Sequence, residues 1–368
     1  MKQNQTHYRM VFTILIIYLT ISVGTALDFD SSSLEKLTLQ SFLNGAWAEQ
    51  TENYLQQHIG FHDTLFRIKS NIDLFLGEKM IQGVYITDDM LLEKLSSDDI
   101  PEPSVSAQPV NDFYEQTQIP TYFILVPSAS DIYRTKLPAN AVNAEQKNAI
   151  QQIYLSTSNG IHCIDAYNIL SSLKDNYIYY RTDSHWTCCG AYYVYQSTIQ
   201  KMGFTPISYQ KYVISHMTAD FYGDLYEKTL YDNIRADVLD YYYDESGVQI
   251  TSITVNDNPQ NEIKSSHLYD TSAFLKNNPY QFYLGQPCEK LTIRTNLNNH
   301  KKLLLYKDSF ADCFIPFLIQ HYNEICIINL EQTTSENLPL PSSNTYTHTL
   351  ILSSLNFWNT YTKESPLS

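Results

Sequence analysis

Apolar and polar residues follow one another along this chain in two kinds of block. A continuous apolar run, typical of a strand buried on both faces, lies at residues 121–126. Further strands are predicted at residues 161–164, 177–180, 302–306, 325–330 and 349–353. Helices are predicted between them, at residues 143–155, 166–174, 187–202 and 310–322. This alternation predicts an α/β fold with a mostly parallel sheet flanked by helices.

The residues before the first strand also show patterns. Apolar residues recur at helical steps within residues 47–76, and Gly77 predicts the end of that helix. Residues 83–86 and 90–92 predict a hairpin. Residues 96–110, rich in Ser, Asp and Pro, predict a surface loop.

Two features interrupt the second half of the pattern. Residues 206–300 follow no clean period, so we predict a mixed insertion before the strand at 302–306. Pro316 predicts a kink or a split in the helix at 310–322. We therefore expect a helical lead-in at 27–80 and one α/β domain at 81–368 that contains the insertion.

The N-terminus predicts export. Lys2, His7 and Arg9 precede the apolar run 10–23, and the small residues 24–26 follow it. The segment is slightly short for a membrane-spanning helix, so residues 1–26 are either a cleaved signal peptide or an uncleaved anchor. Both alternatives predict an extracytoplasmic protein, secreted or held at the cell membrane.

Composition restricts the class of partner. The chain has 368 residues, 43% of them hydrophobic and 17% charged, with a formal net charge of −15. This charge disfavours nucleic acid and leaves uncharged sugars open as ligands. The 30 Tyr residues suit stacking on sugar rings or ordinary packing. The six Cys residues lack the spacing of a zinc site. In an exported chain they could form up to three disulfides, in any of 15 connectivities, and we interpret them as buried or structural thiols.

Two short segments combine catalytic residue types with a suitable local structure. Asp183 and His185 lie between a strand and a helix, and residues two apart in an extended segment point to the same side. Asp183 can then orient His185, which leaves Nε2 free as a base. By itself, such a pair more often caps the helix and packs in the core.

Ser309 directly follows a buried strand and opens a predicted helix. Open α/β sheets place their active sites at such strand ends, and the Ser309 N–H would help to stabilise an oxyanion. An ordinary helix cap is the alternative for this residue alone. Both segments in one chain predict a Ser-His-Asp triad of Ser309, His185 and Asp183. Tyr180, Arg181 and Trp186 flank the motif and are candidate substrate-binding residues.

The sequences YYRTDSHWTCCGAYY, from Tyr179, and LLLYKDSFADCFIPFL, from Leu303, resemble those of the DHHW proteins of Gram-positive bacteria. These are relatives of the SGNH hydrolase-like alginate O-acetyltransferases. Weaker similarities are GVYI from Gly83, FYG from Phe221 and PYQFYLG from Pro279. The resemblance covers residues 51–358 and implies an SGNH hydrolase-like fold with the same triad.

The chain departs from the pattern of these relatives at two places. Ser184 replaces the first His of the family name, and Cys188 and Cys189 stand where the acetyltransferases often have Pro and Glu. Lys307 stands where many SGNH enzymes have Gly, although Lys is usual in the DHHW proteins. The first departure leaves the triad intact.

The sequence thus predicts an O-acetyltransferase or carbohydrate esterase that acts on a cell-surface polysaccharide. The resemblance adds a membrane-bound acyl-donor protein as a partner, and no cofactor is expected. One alternative is a noncatalytic polysaccharide-binding or surface-assembly protein with a vestigial triad. Another is a metal site of Asp183, His185 and either His162 or Asp165, which no known ligand spacing supports.

Overall fold

The computed structural model describes Thr13, Ile16 and most residues from 62 to 364. The described ranges are 62–97, 100, 102–244, 247–256, 262–263, 268–275, 279–285, 287–333, 338–341 and 345–364. The first part of the helix predicted at 47–76 lies outside them, as does the predicted signal peptide or anchor at 1–26 apart from Thr13 and Ile16.

Contacts divide the chain into two units. The smaller unit comprises residues 1–78 and 229–232, and the larger comprises residues 79–228 and 233–368. In the smaller unit, helix α1 (His62–Phe75) ends before Gly77, whose φ of 100° permits the turn that stops it. Arg67 of α1 forms an ion pair with Asp232.

The larger unit is built on one large sheet. Its strands are β4 (Thr121–Val126), β5 (Ile161–Ile164), β8 (Ile250–Val255), β9 (Glu262–Ile263), β10 (Lys290–Thr295), β11 (Lys302–Lys307), β12 (Glu324–Asn329) and β13 (His348–Ser354). Their order is β5-β4-β13-β11-β12-β10-β8-β9. The five strands from β5 to β12 are parallel, and the insertion adds β10, β8 and β9 as an antiparallel edge.

Two smaller sheets complete the strands of the described residues. Strands β1 (Met80–Ile81), β2 (Val84–Ile86) and β3 (Leu91–Glu93) form an antiparallel meander. Strands β6 (Val213–Phe221) and β7 (Asp237–Tyr243), both from the insertion, form an antiparallel pair.

Helices cover both faces of the large sheet. They are α2 (Pro103–Thr117), α3 (Ala129–Ile132), α4 (Gln146–Leu155), α5 (Ala166–Ser172), α6 (Cys188–Lys201), α7 (Asp224–Thr229), α8 (Ile315–Leu318) and α9 (Leu355–Glu364). Helices α2, α4 and α9 pack on one face, whereas α3, α5, α6 and α8 pack on the other. Successive strand residues point to opposite faces. Tyr306 therefore packs in the core beneath α2, α4 and α9, while its neighbour Leu305 packs in the core beneath α3, α5, α6 and α8.

The predicted fold class is confirmed, since a mostly parallel sheet lies between two helical layers. The strands predicted at 121–126 and 161–164 have those bounds, and the hairpin at 83–92 forms. Thr187 caps α6 by accepting a hydrogen bond from the Gly190 N–H.

Three element predictions were wrong. Residues 103–110 are helical, because Pro103 is tolerated in the first turn and Val110 is buried in the core. Residues 177–180 form one isolated bridge, between Tyr179 and Trp186, and no strand. Residues 310–322 are not helical throughout: they are split, as Pro316 predicted, and contain a short 3₁₀ turn and the four-residue helix α8, with Pro316 in its first turn. Among the residues described, no helix has the length and apolar character needed to span a membrane.

Candidate active site

The nucleophile candidate lies just after the end of β11, the strand between β13 and β12. Ser309 begins the 3₁₀ turn Ser309–Ala311 and is partly exposed. The preceding Asp308 is 1% exposed, and its carboxylate accepts hydrogen bonds from the Phe310 N–H (3.1 Å) and the Ser354 N–H (2.7 Å). Asp308 therefore fixes the turn to the end of β13.

The Asp183–His185 segment is a closed loop rather than a strand end. The Tyr180 N–H donates to the His185 carbonyl (3.2 Å), and the Thr187 N–H donates to the Ile178 carbonyl (2.9 Å). Within the loop, the His185 N–H donates to Asp183 Oδ1 (2.9 Å). These bonds hold both side chains beside the β11 end.

The structure brings the three predicted triad residues together. His185 Nδ1 lies 2.6 Å from Asp183 Oδ1, and His185 Nε2 lies 3.0 Å from Ser309 Oγ. Both distances are within hydrogen-bond reach of a nucleophile, its base and an orienting carboxylate. The geometry can support proton transfer from Ser309 to His185.

The contact between Asp183 and His185 shifts the pKa of both side chains. Burial alone would raise the pKa of Asp183, but the His185 charge and the hydrogen bonds it receives hold that pKa below its ordinary value. Burial alone would lower the pKa of His185, but the Asp183 carboxylate raises it to about 9. Asp183 thus stabilises the imidazolium that proton transfer would create.

Asp237, an insertion residue at the start of β7, anchors the loop that carries Asp183 and His185. This carboxylate is fully buried and accepts hydrogen bonds from the N–H groups of Arg181 (2.9 Å) and Thr182 (2.8 Å). It also accepts from the hydroxyl groups of Thr182 (2.6 Å) and Tyr177 (2.5 Å). The sequence indicated no role for Asp237, because it lies more than 50 residues from the loop it holds.

The Phe221–Gly223 segment supports Asp183 from the other side. A Cβ at Gly223 would lie 2.1 Å from Asp183 Oδ2, so only glycine fits against the carboxylate there. The next residue, Asp224, donates its N–H to Asp183 Oδ2 (3.2 Å) and accepts from the Ser184 N–H (2.8 Å).

Two further residues touch the triad, and sequence reasoning missed both. The Tyr280 ring stacks on the His185 ring with centroids 3.9 Å apart, and its hydroxyl donates to the Ser309 carbonyl (3.4 Å). Glu331 Oε1 accepts hydrogen bonds from Ser309 Oγ (2.8 Å) and from the Ser309 N–H (3.1 Å). The PYQFYLG similarity contains Tyr280 and was the one available signal; none pointed to Glu331.

The backbone donor expected at Ser309 is therefore engaged by a carboxylate. The long helix predicted behind it is also absent, since a short 3₁₀ turn stands in its place. The sequence-based argument from a helix N-terminus was wrong for this reason.

Two cavities of about 300 Å³ and 240 Å³ flank the triad. Four residues line both of them, namely His185, Asp224, Ser309 and Glu331. The first cavity also contains the ion pair between Lys307 and Asp312 (2.5 Å), and Leu284 and Leu291 form part of its apolar wall. Two compartments at one nucleophile can accommodate two different groups.

The three candidate substrate-binding residues lie outside the lining of both cavities. Tyr180 and Trp186 are buried, at 1% and 0% exposure. The Trp186 Nε1–H donates to the Phe310 carbonyl (2.7 Å), and the Arg181 guanidinium lies over the Tyr177 ring (4.6 Å). In this structure the three residues support the loop and the nucleophile turn.

The described residues contain no cluster of three or more His, Cys, Asp or Glu side chains arranged to hold a metal ion. No disulfide joins the six cysteines, all of which lie in the part of the chain that the structure describes.

Comparisons with known proteins agree on the fold. A DHHW protein from Eubacterium siraeum is 22% identical, with a TM-score of 0.63 over 78% of this chain and 97% of that chain. The structure of Bacillus cereus PatB1 with a sulfonyl adduct is 19% identical, with a TM-score of 0.59 over 75% of this chain and 95% of the other. A search of curated protein sequences found no significant match.

The family is shown by a sequence model as well as by structure. The model described as "DHHW protein" matches residues 68–328, which is more than half of the chain and includes both triad segments. The chain belongs to the DHHW protein family.

Proposed function

We propose that the protein is an extracytoplasmic serine acyl-transfer enzyme, an O-acetyltransferase or acetylesterase, that acts on a cell-surface polysaccharide. The observation that carries the proposal is the continuous contact from Asp183 through His185 to Ser309, at the meeting point of two cavities. The fold shared with the DHHW protein and with PatB1 supports the same assignment.

In the first step, His185 Nε2 takes the proton of Ser309 Oγ. The oxygen forms a bond to the acyl carbon, the ester C–O bond breaks, and the leaving oxygen takes the proton from His185. Asp183 keeps the Nδ1–H directed to itself and stabilises the imidazolium between these transfers. The product is an acyl group on Ser309.

In the second step, a hydroxyl group attacks the acyl carbon while His185 takes its proton. The bond between the acyl carbon and Ser309 Oγ then breaks, and His185 returns the proton to Oγ. Water as the acceptor gives hydrolysis, and a sugar hydroxyl gives transfer. A two-compartment site suits transfer, because donor and acceptor can bind on opposite sides of Ser309. A membrane-bound protein remains the proposed acyl donor and a surface glycan the proposed acceptor.

The test measures acetate release from 4-nitrophenyl acetate, with and without an added neutral oligosaccharide, by the chain from Leu27 onward. The wild type should cleave the ester, and Ser309→Ala and His185→Ala should lose the activity. Ser208→Ala is the matched control, because Ser208 is exposed and lies outside both cavities. Acetylated oligosaccharide among the products would identify transfer.

Equal rates in the wild type and Ser309→Ala would reject Ser309 as the nucleophile. Glycan binding that survives Ser309→Ala, with no turnover of any ester, would support the noncatalytic polysaccharide-binding alternative.

A further inference from the structure

Glu331 makes the most direct contact with the nucleophile apart from His185. It follows β12, the strand paired in parallel with β11, and one oxygen of its carboxylate accepts from both Ser309 Oγ (2.8 Å) and the Ser309 N–H (3.1 Å). Two bonds at Asn329 shape this turn: its Oδ1 accepts from the Glu331 N–H (3.2 Å), and its carbonyl accepts from the Gln332 N–H (3.1 Å).

This contact occupies the position that acylation requires. An oxyanion forms beside the attacking Ser309 Oγ and needs donors at about 2.7–3.1 Å, of which the nucleophile's own N–H is the obvious one. Glu331 Oε1 already lies at that distance from the N–H. The acyl carbonyl oxygen and the carboxylate therefore compete for one donor.

Charge makes the competition depend on the acyl group. Glu331 and Asp224 line both cavities and Asp183 lines the first, whereas the cationic Lys307 of the first cavity is paired with Asp312. After burial, the Glu331 charge is the largest cause that raises the pKa of the neighbouring Asp308 to about 6. Its field therefore acts on the nucleophile turn, where an anionic acyl group would be repelled.

We propose that Glu331 is a specificity-determining residue: it holds the Ser309 N–H in the resting site, yields it to neutral acyl groups, and disfavours acyl groups that carry a carboxylate. The inference rests on the proposed acyl-transfer function. It also specifies the class of acyl donor: the preferred ester carries a neutral acyl group, such as acetyl, and not an anionic one, such as hemisuccinyl.

The experiment compares 4-nitrophenyl acetate with 4-nitrophenyl hemisuccinate and measures kcat/KM for wild type, Glu331→Gln and Glu331→Ala. Gln keeps an acceptor for the Ser309 N–H but removes the charge, and Ala removes both. We expect the wild type to prefer acetate, and both variants to narrow that preference by roughly tenfold or more. Only Ala should also raise the acetate rate, by roughly tenfold, since it frees the donor.

Glu289→Gln is the matched charge control. Its side chain is exposed, close in sequence to the cavity residue Cys288, and lines neither of the two cavities. It should leave the preference for acetate unchanged.

An unchanged acetate preference in both Glu331 variants, with normal wild-type turnover, would overturn this inference alone. A drop in acetate turnover in both variants would also overturn it, since Glu331 would then assist acylation. Absence of turnover of either ester by the wild type would instead reject the proposed function.

Discussion

His185 is held from two directions, and this determines both its orientation and its charge. Asp183 fixes Nδ1, while the Tyr280 ring stacks on the imidazole at 3.9 Å with an interplanar angle of 17°. Tyr280 also bonds the Ser309 carbonyl, so one residue of the insertion touches base and nucleophile together. The base therefore has little freedom to rotate away from Ser309 Oγ.

The first prediction concerns pH. Asp183 raises the pKa of His185 to about 9, and an imidazolium cannot accept the Ser309 proton. The acylation rate should therefore rise with pH above the ordinary His value of about 6.5 and continue to rise into the alkaline range. Asp183→Asn should move the midpoint to lower pH and reduce the maximal rate. A pH profile of 4-nitrophenyl acetate cleavage from pH 5 to 10 measures both effects.

A wild-type profile that is already flat at pH 6.5 would contradict this account of His185. A profile whose midpoint does not move in Asp183→Asn would show that another group controls the rate.

The second prediction concerns Gly223. An added methyl group would collide with the Asp183 carboxylate, so Gly223→Ala should displace Asp183 and lower kcat by roughly a hundredfold or more. The matched control is Gly203→Ala at the end of α6, where φ is +84° and the space is open. That variant should lose about 1 kcal/mol of unfolding free energy from backbone strain and keep its kcat. Equal kcat in the two variants would show that Asp183 tolerates the displacement.

The site residues that belong to a short local motif could be predicted from the sequence. Asp183 and His185 are two residues apart, and Ser309 stands at a strand end, so neighbouring sequence indicates their contacts. Asp237 and Glu331 meet the site through contacts over 56 and 22 residues, which no local pattern encodes. Trp186 looked like a ligand-binding aromatic because sequence does not show that its ring is wholly buried.

Among the elements, the insertion carries supports that the α/β core lacks. It supplies Asp237 beneath the Asp183 loop, Gly223 against the Asp183 carboxylate, and Tyr280 on the imidazole. It also extends the large sheet, since β10 pairs with β12 beside the nucleophile strand.

The third prediction concerns the β7 anchor. Asp237→Asn removes the charge from a buried carboxylate that accepts from five donor groups, and the amide that replaces it cannot accept from all of them. We expect a loss of about 1–3 kcal/mol in unfolding free energy, measured by urea denaturation, together with lower ester turnover. The control Asp220→Asn changes an exposed residue of β6 and should alter neither quantity. A loss of stability without any loss of ester turnover would show that Asp237 does not help to position the candidate active site.

Element prediction succeeded where apolar periodicity was strong and failed where composition misled it. The apolar stretches within β4 and β11 have no polar interruption, and β5 has a single one at His162, so all three strands were recognisable. Helix α2 contains Pro109 and several polar residues, so it resembled a loop; burial of Phe113 on the sheet stabilises it. Tertiary contacts of this kind outweigh local propensity, and a single sequence does not display them.

At the scale of the whole molecule, the sheet places two of its most buried strands at the candidate site. Strands β11 and β13 lie side by side in the middle of the order, and nearly all of their residues are buried. Strand β9, by contrast, lies at one edge of the sheet. The nucleophile turn is thus fixed to the most protected part of the fold.

The fourth prediction is a gradient of hydrogen exchange across this sheet. Backbone amides of β11 and β13 should exchange only through global unfolding, because both strands are paired on each side. Amides of the edge strand β9 should exchange faster by several orders of magnitude. Mass spectrometry of peptides from each strand measures the gradient, and equal protection across the sheet would contradict the fold described here.

The central claim is that Ser309 is a nucleophile activated by His185. Its most direct test is covalent labelling by phenylmethylsulfonyl fluoride, read as the mass and position of the adduct by peptide mass spectrometry. The account predicts one adduct, on Ser309, that is absent in Ser309→Ala and forms more slowly by roughly a hundredfold or more in His185→Ala. An adduct on another residue, or labelling of Ser309 at the same rate without His185, would contradict it.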